Sequence, residues 1–351
     1  MFFSKSKNVV GLDIGSSAVK LVELKEKKGG SYSLVKLGSE RLSPEAIVDG
    51  SIMDSSMVVE TIQRLNTEQT IKNSNYATSL SGHSVIIKKI TLPAMSPEEL
   101  AESIQWEAEQ YIPFDINDVN LDYVPLTAPG SGDNIDVILV AVNKEKINDY
   151  TSVISRAGKL PVLVDVDAFA LQNAYEVNYG IEPGAVVVIL NAGAGATNIN
   201  ILSGEQSVFT RDVSIGGNAY TEALQRELNL SLEAADQLKR GTPVDGVTFD
   251  EARPVLRAVS ENVLLEIQKT FDFFKATAAS DRIDRIVVSG GASRAEGFTE
   301  MLKERFEAPV EQFDPFKKVA FDTRKLANHP SDIAPTAAVA VGLALRRAGD
   351  R

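Results

Sequence analysis

The strongest constraint on the fold is a pattern of residues that occurs twice in the chain. Residues 9–21 and 187–199 each begin with four mainly apolar residues, followed by Asp13 or Asn191, a glycine two positions later and a second strand-like run. A buried strand, a turn that contains glycine and a returning strand are typical of a β-hairpin. Because Asp13 and Asn191 are 178 positions apart, the repeat predicts two similar halves that face each other.

The residues between the two hairpins predict an additional α/β block. Its pattern is β-α-β-β-α-β, and its first helix is well marked because Ser96 and Glu99 form a capping box and Pro97 suits the first helical position. The expected organisation, in residue numbers, is a first lobe (1–83 and 165–182), an inserted subdomain (84–164) and a second lobe (183–351) with a helical subdomain (217–285).

The composition excludes several classes of function. The 48 acidic residues outnumber the 36 basic ones, and the formal net charge of −12 argues against sequence-independent binding of nucleic acid. The chain has no cysteine, so it forms neither a disulfide nor a thiolate-ligated metal site, and this composition fits a reducing cytoplasm. No apolar run is long enough to predict a membrane span.

The turn of the first hairpin has the chemistry of an anion site. Around Gly15, Ser16 and Ser17, successive backbone N–H groups can surround a small concavity, and glycine lets the backbone approach a phosphate closely. Asp13 offers oxygen atoms that suit Mg²⁺ bound through water. Lys20, at the far end of the hairpin, adds a positive charge.

Two further turns have the same character. One lies in the second hairpin at residues 193–197, and the other, residues 289–293, follows a buried strand and contains Gly290 and Gly291. One such turn alone is also common in structural hairpins. Three of them in one chain predict a phosphate-binding cleft between the two halves.

In this order, the segments resemble those of the actin-like ATPases. The hairpins are similar to the two phosphate loops, residues 164–168 to the first connecting segment, residues 286–293 to the adenosine loop and residues 334–344 to the second connecting helix, in which Gly342 predicts close packing. The resemblance implies an α/β fold of two lobes, each with a βββαβα-type core. It also implies that ATP and Mg²⁺ bind in the central cleft.

The same resemblance implies a set of site residues. Asp236 and Lys239 are similar to the Glu-x-x-Lys pair that flanks adenine and ribose in that superfamily, with Asp in place of Glu. Mg²⁺ is expected at Asp13 and, through water, at Asn191. The residues expected to bind the nucleotide are Asp13, Gly15, Ser16, Ser17, Lys20, Gly193, Ala194, Gly195, Thr197, Gly216, Gly217, Asp236, Lys239, Gly290, Gly291, Ala292 and Ser293.

Position 191 departs from the superfamily pattern. The second phosphate loop usually begins with Asp, whereas Asn191 brings no negative charge to Mg²⁺ and cannot act as a base. The loss of a positioned general base lowers a rate by roughly 10²–10⁴. We therefore expect ATP hydrolysis to be slow or absent, and no catalytic residue is assigned. On this argument Asn191→Asp should raise phosphate release.

The inserted block distinguishes families within the superfamily. A block of this pattern resembles the extra subdomain of the FtsA family and of the PilM family, the cytoplasmic type IV pilus assembly proteins. Residues 107–114, followed by residues 121–123, look especially like the PilM family. FtsA proteins carry a linker and a membrane-binding helix at the C-terminus. Because residue 351 follows the predicted closing helix directly, the PilM family is expected.

Similarity to the PilM family implies a cytoplasmic protein, peripheral to the inner membrane, in the pilus assembly platform. Its implied partners are the N-terminal cytoplasmic peptide of the membrane protein PilN and other platform proteins. Membrane contact is then expected only through partners, and homo-oligomers are left open. Two alternatives come from the same superfamily: a filament-forming, FtsA-like division protein and a small-molecule kinase. For a kinase, the inserted block offers no obvious catalytic carboxylate.

The single tryptophan marks the expected partner site. On the predicted helix that begins at Pro97, Trp106 lies about 200° from Ile104, which belongs to the buried stripe. A tryptophan on a polar helix face either packs against a neighbouring subdomain or anchors a partner. The expected partner-binding residues are Trp106, Tyr111 and Phe114.

Overall fold

The computed structural model describes residues 8–126, 132–277 and 282–350. Its strands are β1 (Val10–Ile14), β2 (Ala18–Glu26), β3 (Tyr32–Arg41), β4 (Ile47–Val48), β5 (Ser51–Ile52), β6 (Asn75–Leu80), β7 (Val85–Pro93), β8 (Val119–Pro125), β9 (Asn134–Asn143), β10 (Leu160–Val166), β11 (Val186–Ala192), β12 (Thr197–Ser203), β13 (Gln206–Val213), β14 (Arg285–Ser289), β15 (Val310–Gln312) and β16 (Val319–Ala320). Its α-helices are α1 (Ser55–Glu68), α2 (Pro97–Glu109), α3 (Lys144–Arg156), α4 (Asp167–Tyr179), α5 (Gly217–Leu228), α6 (Leu232–Lys239), α7 (Phe249–Thr277), α8 (Phe298–Phe306) and α9 (Pro330–Leu345).

Each half of the chain forms a sheet with the same strand order. The first sheet has the order β10-β6-β1-β2-β3-β16, and the second has the order β13-β12-β11-β14-β15. In both sheets an antiparallel hairpin is extended by a third antiparallel strand on one side and by two parallel strands on the other. The two predicted hairpins and the two similar halves are therefore confirmed.

Helices α4 and α9 join the two lobes. They share one buried core with residues from both large sheets, among them Val22 of β2 and Ile189 of β11. A Cβ atom added at Gly342 of α9 would lie 1.7 Å from the carbonyl oxygen of Ala170 in α4. This distance is far below van der Waals contact, so the close packing predicted for Gly342 requires glycine.

The inserted block has its own small core. Its three strands pair in the order β7-β9-β8, and α2 covers one face of this sheet through Leu100 and Ile104. Helix α2 begins as predicted, because Ser96 accepts a hydrogen bond from the N–H of Glu99 and the Glu99 carboxylate accepts one from the N–H of Ser96.

The C-terminal part of the block differs from the prediction. Strand β10 pairs in parallel with β6 in the first sheet. Helix α3 packs on the core of the first lobe through Tyr150, Val153 and Ile154. Residues 144–164, which the sequence assigned to the insertion, therefore pack with the first lobe. A local strand or helix pattern does not specify which sheet edge or which core an element joins.

Replacing Gly342 with alanine tests how strongly the two lobes depend on this packing. Because the new methyl group would meet the Ala170 carbonyl, we expect the free energy of unfolding to fall by about 1–3 kcal/mol. Urea unfolding of the purified protein measures it. Gly132→Ala is the matched control, since a Cβ there meets nothing within 4 Å, and equal stability of the two variants would contradict the packing argument.

Candidate functional site

A cleft of about 870 Å³ opens where the two hairpin turns meet, and residues from both lobes line it. Most of the residues expected to bind nucleotide lie on its wall. They are Asp13, Gly15, Ser16, Ser17, Lys20, Asn191, Gly193, Ala194, Gly195, Gly216, Gly217, Asp236, Lys239, Gly290, Gly291 and Ala292.

The first hairpin turn carries a partly buried ion pair. Asp13 and Lys20 are cross-strand partners in the β1–β2 register. The Lys20 Nζ atom lies 3.0 Å from Asp13 Oδ2, and both side chains are 13% exposed. A Cβ at Gly15 would come within 2.9 Å of the Lys20 ammonium. Glycine therefore leaves room for this cation beside the turn.

The second hairpin turn is fixed against the start of α5. The N–H of Gly217 donates to the carbonyl of Gly193 over 2.8 Å, and the N–H of Asn218 donates to the carbonyl of Ala194 over 2.8 Å. A Cβ at Gly216 would lie 2.5 Å from the Ala194 oxygen. Only glycine at position 216 allows α5 to begin this close to the turn.

The two turns face each other across the cleft. A Cβ at Gly195 would lie 3.0 Å from the Ser16 hydroxyl oxygen. Within the described residues, the backbone N–H groups of Ser16, Ser17, Ala194 and Gly195 donate to no protein acceptor. Unpaired N–H groups in two facing turns form a site for an anion such as a phosphate.

The predicted pair on α6 lies at another wall of the cleft. Lys239 Nζ donates to the Thr221 hydroxyl over 2.7 Å and lies 3.0 Å from Asp236 Oδ1. The Asp236 carboxylate also contacts Arg240 of the same helix. Arg41 of β3 reaches Asp236 from the first lobe, with 3.2 Å between Nη1 and Oδ2. This ion pair bridges the two lobes.

Two predicted residues do not line the cleft. Thr197 is 1% exposed, and its hydroxyl donates to the carbonyl of Ile215. Ser293 is 3% exposed and donates to the carbonyl of Gly290. Gly290 has a φ of +88°, and a Cβ there would lie 2.2 Å from the Ala192 carbonyl oxygen. Thr197 and Ser293 thus support the turns from inside the protein.

Asp167 also lines the cleft, although the sequence analysis assigned it no role. It is the first residue of α4, directly after β10, and Ser79 Oγ donates to its Oδ1 over 2.5 Å. Burial raises the pKa of Asp167 to about 6, and the negative charge of Asp13 adds to the rise. A carboxylate at the strand-to-helix junction of residues 164–168, which resemble the first connecting segment, was the signal that could have identified it.

The carboxylates of the cleft are spread rather than gathered. Within residues 8–126, 132–277 and 282–350, no three His, Asp or Glu side chains form a possible metal cage. Mg²⁺ held mainly by phosphate oxygens and water needs no such cage, so Asp13 and Asn191 remain chemically suitable.

Across the same described ranges, no helix combines the length and apolar character that crossing a bilayer requires.

The expected partner residues have different environments. Trp106 is 73% exposed, so the interpretation that it packs against a neighbouring subdomain is wrong. Tyr111 and Phe114 are partly buried against the core of the inserted block. Both side chains therefore contribute in part to that core, and neither is as exposed as Trp106.

Comparison with known proteins agrees with this architecture. A family model described as type IV pilus assembly protein PilM matches residues 11–348. The solved structure of a PilM–PilN type IV pilus biogenesis complex is similar with a TM-score of 0.87 and 30% identity, over 97% of this chain and 99% of that one.

More distant relatives share the fold. The cell division protein FtsA of Pseudomonas aeruginosa is 22% identical over 88% of this chain and 84% of its own. MreB5 of Spiroplasma citri, solved with AMPPNP, has a TM-score of 0.53 and 13% identity over 97% of this chain and 95% of its own. The α/β, actin-like fold predicted from the sequence is therefore confirmed.

Replacing Asp167 with asparagine should change how stability depends on pH. The Asp167 pKa rises from its ordinary value of 3.8 to about 6 in the folded protein, so the folded state binds this proton more tightly. The resulting stabilisation is fully present below about pH 4 and is lost as the pH rises through about 6. We expect the melting temperature of the wild type, relative to Asp167→Asn, to fall between about pH 4 and 6.5.

Calorimetry of both proteins across that range measures the difference. Glu102→Gln, which removes an exposed carboxylate from α2, is the control and should keep the wild-type profile. If the melting temperature of Asp167→Asn also follows the wild-type pH profile, the Asp167 carboxyl does not have a raised pKa in the folded protein.

Proposed function

The chain belongs to the family of the type IV pilus assembly protein PilM, and from this premise we propose that it is an ATP-binding scaffold of the pilus assembly platform. Its two facing turns with unpaired N–H groups are the observation that carries the proposal. The scaffold lies at the cytoplasmic face of the inner membrane and reaches the membrane through its partners.

Several features of the cleft support ATP as the ligand. Phosphate groups suit the N–H groups of the two turns, and Lys20 and Lys239 place positive charge on opposite walls. MreB5, which shares the fold, was solved with the ATP analogue AMPPNP. Asp13 would hold Mg²⁺ through water, and Asn191 would also contact the metal only through water. When bound, Mg²⁺ neutralises phosphate charge.

Slow or absent hydrolysis is part of the same proposal. The Asn191 side chain is engaged at both ends, because its Nδ2 donates to Asn198 and its Oδ1 accepts from Ser289. It supplies no carboxylate to take a proton from water. ATP therefore serves in this proposal as a structural ligand that holds the lobes together, with turnover as a minor activity.

The inserted sheet with α2 is the proposed partner-binding unit. The similar solved structure is a complex of PilM with PilN, and we assign to this chain the N-terminal cytoplasmic peptide of PilN. Trp106 offers a large exposed anchor, and Glu98, Glu102 and Glu109 are exposed on the same helix. An aromatic anchor with acidic neighbours suits a short peptide that carries aliphatic and basic residues.

The residue ranges of the subdomains are proposed accordingly. The small core around β7, β8, β9 and α2 supports residues 85–143 as the proposed partner-binding unit. Residues 217–285, with α5, α6 and α7, form the helical part of the second lobe. The remaining elements belong to the two lobes that hold the cleft.

Gly195→Val tests the nucleotide site. The new side chain would enter the gap between Gly195 and Ser16 and obstruct the turn N–H groups. Loss of one hydrogen bond to a charged group corresponds to roughly a tenfold loss of affinity or more, so we expect at least that loss for a fluorescent ATP analogue with Mg²⁺. Gly132→Ala should bind like the wild type. Wild-type protein without saturable binding below about millimolar concentration, where even weak specific sites fill, would contradict the site.

Trp106→Ala tests the partner site. If the side chain anchors the peptide, its removal should weaken binding by about tenfold or more. Fluorescence anisotropy with a labelled N-terminal PilN peptide measures this, and circular dichroism confirms the fold. Leu265→Ala removes another apolar side chain, 45% exposed on the second lobe, and should have no effect. Equal affinity of Trp106→Ala and wild type would remove Trp106 from the site.

A further inference from the structure

The two hairpin turns have equivalent cross-strand pairs with different chemistry. In the first hairpin the register pairs Asp13 with Lys20, and in the second it pairs Asn191 with Asn198. The first pair is an ion pair of 3.0 Å, and the second is a hydrogen bond of 3.0 Å from Asn191 Nδ2 to Asn198 Oδ1. In the second hairpin, therefore, residue 191 carries no negative charge and its partner, residue 198, carries no positive charge.

The Asn191–Asn198 pair is the start of a longer chain of hydrogen bonds. Asn198 Nδ2 donates over 2.7 Å to Oδ1 of Asp212 in β13. The other carboxylate oxygen, Asp212 Oδ2, accepts the backbone N–H of Gly82. We call these four groups, Asn191, Asn198, Asp212 and the Gly82 N–H, the amide chain. Asn198 is 6% exposed, so water has little access to the middle of the chain.

The Asp212 carboxylate fixes the direction of the chain. An ionised carboxylate only accepts hydrogen bonds, so Asn198 must turn its NH₂ group toward Asp212 and its oxygen toward residue 191. Residue 191 must then donate, which Asn does and ionised Asp does not. The Asn191 oxygen accepts from the Ser289 hydroxyl over 3.2 Å, so all the named side-chain hydrogen bonds run in one direction.

The amide chain crosses from one lobe to the other. Asn191, Asn198 and Asp212 belong to the second lobe, whereas Gly82 lies in the turn just before β7, the first strand of the inserted sheet. In the same turn, His83 Nε2 lies 3.2 Å from the Ser214 hydroxyl. The N–H of Val85 donates to the carbonyl of Gly82, so the turn is hydrogen-bonded to the first residue of β7.

We propose that the amide chain is the link through which the second phosphate loop positions the turn at Gly82 and His83, where the inserted sheet begins. In this proposal, Asp212 is the reason that position 191 carries an amide. The link to nucleotide rests on the proposed function, since it requires ATP at the second loop. The direction of the hydrogen bonds in the amide chain does not depend on nucleotide. Asn191 and Asp212 act here as positioning residues.

Three variants test whether Asp212 sets the direction of the amide chain: Asn191→Asp, Asp212→Asn and the double variant. Asn191→Asp puts a carboxylate at each end of Asn198, which has one NH₂ group to offer, so one carboxylate must face an oxygen. Asp212→Asn lets the chain reverse: the new amide at position 212 donates to Asn198, Asn198 donates to residue 191, and the amide oxygen at 212 still accepts from Gly82. An aspartate at 191 then completes the reversed chain. The single substitution Asn191→Asp is therefore not expected to raise phosphate release, contrary to the argument from the sequence alone.

Hydrogen exchange at the Gly82 amide, resolved to single residues by mass spectrometry, is the readout without nucleotide. Asn191→Asp should speed this exchange by about tenfold or more. The second carboxylate competes with Asp212 for the Asn198 NH₂ group, and this disturbs the charge-assisted hydrogen bond from the Gly82 N–H to Asp212. The same substitution in the Asp212→Asn background should change it by less than about threefold. Asn218→Asp adds a carboxylate to the cleft outside the chain and should leave the Gly82 exchange unchanged.

An effect of Asn191→Asp that is equal in both backgrounds would overturn the proposal. If Asn191→Asp does not fold but the double variant does, the rescue itself supports the fixed direction. With Mg²⁺ and ATP, exchange at Gly82 should slow in the wild type and not in Asn191→Asp; equal slowing in both would show that the chain is not the link. Failure of ATP to bind would count against the proposed function, and the measurements without nucleotide would still decide the direction of the chain.

Discussion

The contact between α9 and its neighbours determines where the two lobes stand. At Gly342 the helix backbone approaches the carbonyl of Ala170, and at Gly11 the first strand of the first sheet approaches the backbone of Ala340. Both approaches exclude a side chain, so α9 packs directly on α4 and β1. The N–H of Gly290 in turn donates to the carbonyl of Pro335 near the start of α9. One helix therefore ties the third glycine turn and both sheets together, and the two hairpin turns face each other as a consequence.

Within this frame the two halves are alike in backbone and different in chemistry. The same register brings Asp13 beside Lys20 in one half and Asn191 beside Asn198 in the other. The charged pair suits a metal and phosphate site, because a carboxylate and a cation lie together. The neutral pair continues through Asp212 to the inserted sheet. The duplicated hairpin thus provides two turns of similar backbone, of which the first carries an ion pair and the second begins a line of hydrogen bonds that reaches Gly82.

The sequence predicted the features that depend on neighbours along the chain. The strand–turn–strand patterns, the Ser96 capping box and the close packing of Gly342 all follow from local residue types, and the structure confirms them. Features that depend on long-range pairing were missed. The pattern of β10 does not reveal that it joins β6, and the sequence does not show that Asp212 meets Gly82, 130 positions away. Asp167 was overlooked because its role depends on burial beside Asp13.

The proposed function requires that the two hairpin turns together hold the phosphates of one nucleotide between the lobes. A crystal structure of the protein grown with AMPPNP and Mg²⁺ tests it most directly. We expect phosphate groups between the backbone N–H groups of Ser16 and Ser17 on one side and of Ala194 and Gly195 on the other, with the metal on the side of Asp13. A nucleotide bound elsewhere on the molecule, or a cleft that stays empty at saturating AMPPNP, would contradict it.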